Sequence, residues 1–144
     1  MTSTIIIIDS SVAIKWYLPD ETDDKALKIQ DGFRSKSILI AVPILFFYEV
    51  GNILKTTSKS LRINNEDALV VFKSLLELDF ISYSSKELFK TALEKSINLD
   101  ISYYDASYIA LAEYLQIPFY TSDQKLLQRT NSILIKNLKS FPIV

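Results

Sequence analysis

No cysteine and no histidine occurs in the 144 residues. Disulfide frameworks, Cys/His zinc sites, Ser-His-Asp and Cys-His triads, and imidazole acid–base pairs are therefore excluded. Glycine is nearly absent: Gly32 and Gly51 are the only two, which removes both the GxGxxG fingerprint and the P-loop as routes to phosphate binding. Neither sign of charge dominates. Sixteen Lys plus Arg against seventeen Asp plus Glu leave a formal charge of −1, which argues against a broadly basic nucleic-acid packager. Long apolar runs are missing as well. The longest, Ile38 to Tyr48, is broken by Pro43 and falls well short of the roughly 20 residues of a membrane-spanning helix. The earlier run Ile5 to Ile8 stops at Asp9 and has no basic residue before it, so neither a secretory signal nor a membrane span is expected. A cytoplasmic location is the expectation. Ionic chemistry in such a chain must run on carboxylates, lysines, hydroxyls or a bound metal.

What is present is a hydrophobic content of 49% in an alternating pattern. Ile5 to Ile8 is a purely β-branched run without polar alternation, as in a strand buried on both faces of a parallel sheet. Similar short runs follow at Ile38–Ala41, Phe80–Tyr83, Pro118–Thr121 and Ile133–Ile135. Between them, helical spacing covers Thr22–Phe33, Ile44–Ser58, Glu66–Leu78, Ser85–Ile97 and Tyr103–Leu115. The expected fold is a three-layer α/β/α domain with a mostly parallel five-stranded sheet, spanning residues 1–144 as one unit. An inserted helical hairpin turning near Asn64 and Asn65 is expected between the second and third strands.

Ligands of open parallel sheets bind outside the carboxyl ends of the strands. Asp9 directly follows the first strand and Asp123 closely follows the fourth. Asp105 lies in the first turn of a helix whose start returns to the same edge, and Glu49 sits mid-helix among Leu45, Phe46 and Ile53. Each acid has a structural reading too. Asp9 and Asp123 are suited to helix capping, Ser102 to Asp105 fits a capping box, and Glu49 could pair with Lys15 or Lys55. Four carboxylates sharing one rim would repel each other and raise each other's pKa values. A hard divalent cation, Mg²⁺ or Mn²⁺, resolves that conflict through all-oxygen ligation, and such an ion is suited to activating water and neutralising charge on a phosphoryl oxygen.

The segments Ile5-Ile6-Ile7-Ile8-Asp9-Ser10-Ser11-Val12, Tyr48-Glu49-Val50-Gly51-Asn52, Tyr104-Asp105-Ala106-Ser107-Tyr108 and Thr121-Ser122-Asp123 resemble those of PIN domains, and in particular of VapC toxins of type II toxin–antitoxin pairs. The resemblance runs from residue 5 to about residue 136. It implies a metal-dependent endoribonuclease with Asp9, Glu49, Asp105 and Asp123 as both catalytic and metal-binding residues, with Ser10 and Thr121 as small hydroxyl residues beside them. It also implies a homodimer, an RNA substrate and a small antitoxin partner. A stand-alone PIN-domain RNase of RNA processing, or a non-catalytic binding module on the same scaffold, are the alternatives.

Lys15 is close enough in sequence to Asp9 to reach the acidic rim, where it would pair with Glu49 or contact phosphate. The last stretch, residues 124–144, holds Lys125, Arg129, Lys136 and Lys139 and no acid, against an excess of acids before it. Such a segment is a candidate grip for an RNA backbone, a solvated basic face being the plainer account. Tyr108 and Tyr114, at helical spacing, read as core or dimer contacts.

Overall fold

The β-branched run at the start of the chain forms the centre of the sheet. In the computed structural model, which describes residues 3–60 and 62–142, strand β1 (Thr4–Ile8) lies between β2 (Ile38–Pro43) and β4 (Phe119–Thr121), and the order is completed by β3 (Ile81–Tyr83) and β5 (Ile135–Asn137) as β3-β2-β1-β4-β5. Every pairing is parallel. Ile7 is flanked by Ala41 on one side and Phe119 on the other. Being covered on both faces and both edges, Ile6, Ile7 and Ile8 are essentially removed from water, which is why uniform rather than alternating hydrophobicity marks this strand.

Helices cover the sheet in the three-layer arrangement: α1 (Ser10–Ala13), α2 (Asp24–Arg34), α3 (Leu45–Lys59), α4 (Asn65–Leu76), α5 (Lys86–Leu99), α6 (Tyr103–Leu115) and α7 (Gln124–Arg129). Five of these starts, those of α2 and α4 to α7, are set by polar caps. Asp23, Asn64, Ser85, Ser102 and Asp123 each accept one or more of the backbone N–H groups left unpaired in the first turn. Asn64 thereby forms the turn of the expected α3–α4 hairpin. Trp16, Phe33 and Phe46 gather around Phe80, with ring centroids 6.3, 4.8 and 4.9 Å from it, so Phe80 serves the core just ahead of β3.

Each strand departs from the sequence reading by one or more residues at an end, and at two of them the cause is plain. The last strand starts at Ile135, because Ile133 is 86% exposed in a turn. β4 starts at Phe119; Pro118 has no N–H to give the ladder, although its carbonyl still accepts from Ile7 N at 2.8 Å. No described helix is long and apolar enough to cross a membrane.

The connections β1 to β2 to β3 run to one side of β1, whereas β4 and β5 lie on the other. The direction of winding therefore reverses between β1 and β4. At such a switch point the two carboxyl ends diverge and leave a crevice, so the residues that follow Ile8 and Tyr120 matter most.

Candidate active site

Asp9 leaves β1 at that crevice and is 8% exposed. It occupies the residue before α1, yet its side chain caps no N–H there. Both carboxylate oxygens are held by hydroxyls instead: Ser11 Oγ donates to Oδ1 at 2.5 Å and Thr121 Oγ1, from the end of β4, donates to Oδ2 at 2.5 Å. Ser122 Oγ donates in turn to Ser11 Oγ at 3.0 Å. Burial pushes Asp9 up from the ordinary 3.8 to about 6, against the two hydroxyl bonds, and the Asp105 charge adds to the rise. A carboxylate that is already fully oriented and yet costly to ionise is suited to a cation.

Glu49 reaches the same place from α3. Its partner is the hydroxyl of Tyr108 on α6, which donates to Oε1 at 2.5 Å. Among the described residues no ion pair reaches Glu49, so the expected alternative of a bridge to Lys15 or Lys55 is not realised. Its carboxyl is raised by burial and by the charges of Asp9 and Asp105, with the Tyr108 bond opposing. Tyr108 itself is buried, stacked on Phe119 at 5.3 Å, and its hydroxyl is held well above the ordinary phenol range by burial and by Glu49.

Asp105 stands in the first turn of α6. Its N–H is accepted by Ser102 Oγ at 3.0 Å, which realises the capping motif, but its carboxyl is raised by burial first and by Asp123 second. Asp123 does cap α7: its Oδ1 accepts from Lys125 N at 3.0 Å and Leu126 N at 3.2 Å, while its own N–H donates to Thr121 Oγ1 at 3.1 Å. Asp9, Glu49 and Asp105 thus sense one another's charge, and Asp105 also senses Asp123.

Of the two serines that open α1, Ser11 is the one whose hydroxyl binds Asp9. Ser10 is buried. Lys15, half-buried in the turn after α1, forms no ion pair with the four acids among the described residues. Two participants went unread in the sequence, Ser11 and the Tyr108 hydroxyl. For Tyr108 the signal was there, since it lies three residues after Asp105 and hence on the same face of one helix.

Among the described residues no group of three or more acids is gathered tightly enough to enclose an ion outright. The donor set nevertheless fits a hard divalent cation. It is all oxygen, and three of its members are strained toward protonation. Each carboxylate oxygen carries two lone pairs, so a hydroxyl bond to Asp9 or Glu49 does not exhaust it. Mg²⁺ commonly keeps several waters and takes only one or two carboxylates from the protein, which suits an open rim better than a closed cage.

An open α/β/α sheet with an acidic crevice at its switch point defines a class of small carboxylate-bearing domains. The chain belongs to the PIN domain family, whose model matches residues 6–131. No curated protein matches it significantly. Solved structures share its fold. PAE2754 from Pyrobaculum aerophilum is 23% identical, with 96% of this chain and 94% of that one covered and a TM-score of 0.68. VapBC2 from Rickettsia felis, bound to a promoter DNA fragment, is 16% identical over 93% of this chain and 98% of that one, at 0.64. The sarcin-ricin-loop-cleaving toxin VapC20 of Mycobacterium tuberculosis is 17% identical over 85% and 93%, at 0.61.

Proposed function

We propose that this chain is a metal-dependent endoribonuclease that cleaves RNA phosphodiester bonds, as the toxin of a type II toxin–antitoxin pair in the cytoplasm. Asp9 carries the reading. It is a buried carboxylate at the switch point, held in place from both oxygens, raised by the charge of Asp105, itself raising Glu49, and paired with no cationic side chain among the described residues. Bound Mg²⁺ or Mn²⁺ supplies an acidified water and neutralises charge on the scissile phosphate. Asp9, Glu49, Asp105 and Asp123 hold it, directly or through water. Ser11 and Thr121 fix the plane of the Asp9 carboxylate, and Tyr108 fixes Glu49, so that no reorientation is required when a phosphate arrives. Exposed Tyr48 and Tyr104, next in sequence to Glu49 and Asp105, suit stacking on unpaired bases.

The toxin assignment draws on fold likeness to proteins described as VapBC and VapC, and brings with it an antitoxin partner and a homodimer. Incubation of purified protein with single-stranded RNA is the test. Cleavage is expected with Mg²⁺ or Mn²⁺, none in excess chelator, and none from folded Asp9→Asn or Asp105→Asn. Full activity in chelator, or in both variants, overturns the mechanism. Stoichiometric co-purification of a small protein from the native host separates a toxin from a stand-alone RNase.

A further inference from the structure

The acidic rim raises a problem for any polyanionic substrate: one bound cation can offset a single phosphate, while the acids repel the next one along. A cavity of about 420 Å³ opens beside Asp105, lined by Asp100 and Ile101 and by Lys125, Leu126, Gln128 and Arg129 of α7. Lys125 and Arg129 are four residues apart, hence one turn apart on one face of that helix. Their position is coupled to the quartet, because Asp123, through its cap on the N–H of Lys125, sets where α7 begins. Neither base is consumed by a tight pair. Arg129 makes a single contact, with Asp100 at 3.6 Å, and both side chains are largely in water, a pairing of little energetic worth. Among the described residues no ion pair involves Lys125. The α7 segment also opens the stretch of chain in which bases occur without acids.

We propose that Lys125 and Arg129 form a phosphate-binding wall for the nucleotide next to the scissile bond, with the RNA backbone passing from the carboxylate rim across the Asp105 side of this cavity. The assignment rests on the nuclease reading of the acids and adds a binding site to it. The ligand is a backbone phosphodiester: Arg129 supplies a planar fork of donors that matches two phosphate oxygens, and Lys125 a point charge. Phosphate contacts of this kind position a strand without reading its sequence. On substrate entry the weak Asp100 contact is exchanged for a phosphate, so no strong pair is lost.

The test uses folded Asp9→Asn protein, expected to bind RNA without cutting it, in fluorescence-anisotropy titrations of a labelled single-stranded RNA against salt, with Mg²⁺ present. For single strands the slope of log K against log salt changes by about 0.7 for each phosphate contact. Lys125→Ala and Arg129→Ala, made in that background, are each expected to weaken binding about tenfold and to flatten the slope by roughly that amount. In the otherwise native enzyme the same changes raise KM with kcat nearly kept, and Arg129→Lys restores part of the loss. Lys28→Ala, on α2, is the control and is expected to alter neither quantity. Unchanged affinity and slope in both α7 variants, while the parent protein binds and cleaves RNA, overturns the wall alone. A parent protein that neither binds nor cleaves RNA overturns the nuclease reading and the wall with it.

Discussion

The Tyr108 hydroxyl donates to Glu49 Oε1 across the gap between α6 and α3, at 2.5 Å. Both residues lie mid-helix, where neither has a capping task, and the bond joins the helix that bears Asp105 to the one that bears Glu49. It fixes the distance between two members of the acidic rim through a rigid aromatic whose ring is itself stacked on Phe119.

Tyr108→Phe removes that bond and leaves the ring stacking. Loss of an oriented outer partner commonly costs 10- to 100-fold in metal affinity or activity, and a fall of this size is expected in Mn²⁺ affinity by calorimetry and in kcat. The melting temperature is expected to fall modestly, because the Glu49 carboxylate loses a partner at a cost of about 1–3 kcal/mol, while no cavity is made. Unchanged Mn²⁺ affinity and rate would show that Glu49 holds its place without help.

Asp9 sets a pH dependence whose direction follows from its raised pKa. With an ordinary value of 3.8 and a folded value of about 6, the native state holds this proton more tightly than the unfolded chain does. The stability so gained is complete below pH 4 and is lost as pH rises through about 6, an effect of roughly 3 kcal/mol. Glu49 and Asp105 act in the same direction. In urea titrations without metal, Asp9→Asn is expected to match the native protein near pH 4 and to exceed it at pH 7.5. Mg²⁺ is expected to restore native stability at pH 7.5 and to have little effect at pH 4.5. A native-to-variant difference independent of pH would remove the case for a perturbed Asp9.

Thr121 is fully buried, and its hydroxyl does two things: it donates to Asp9 Oδ2 and accepts the Asp123 N–H. Thr121→Val keeps the shape and β-propensity and deletes both bonds. Leaving buried partners unsatisfied costs about 1–3 kcal/mol, read as a lowered urea midpoint. Cleavage is expected to fall more steeply than stability, because the variant frees Asp9 and the start of α7 together. Thr121→Ser is expected to recover most of the activity.

The sequence alone carried a large part of this molecule. The β-branched run Ile5 to Ile8 read as a strand buried on both faces, and the caps at Ser85 and Asp123 stood where helices begin, because these signals are local: they depend on side-chain branching and on hydroxyl or carboxylate groups within three residues of the N–H groups they bind. The positions of Asp9, Asp105 and Asp123 at strand and helix ends were legible for the same reason, and Glu49 stood out as an acid within an apolar helix. Which group satisfies each acid was decided only in three dimensions. That Ser11 rather than Ser10 holds Asp9 is settled by side-chain geometry two residues away. The meeting of Glu49 with Tyr108 rather than Lys15, and the two bases that α7 sets beside Asp105, depend instead on contacts between residues distant in the chain, where packing of whole elements fixes distances that no local pattern encodes.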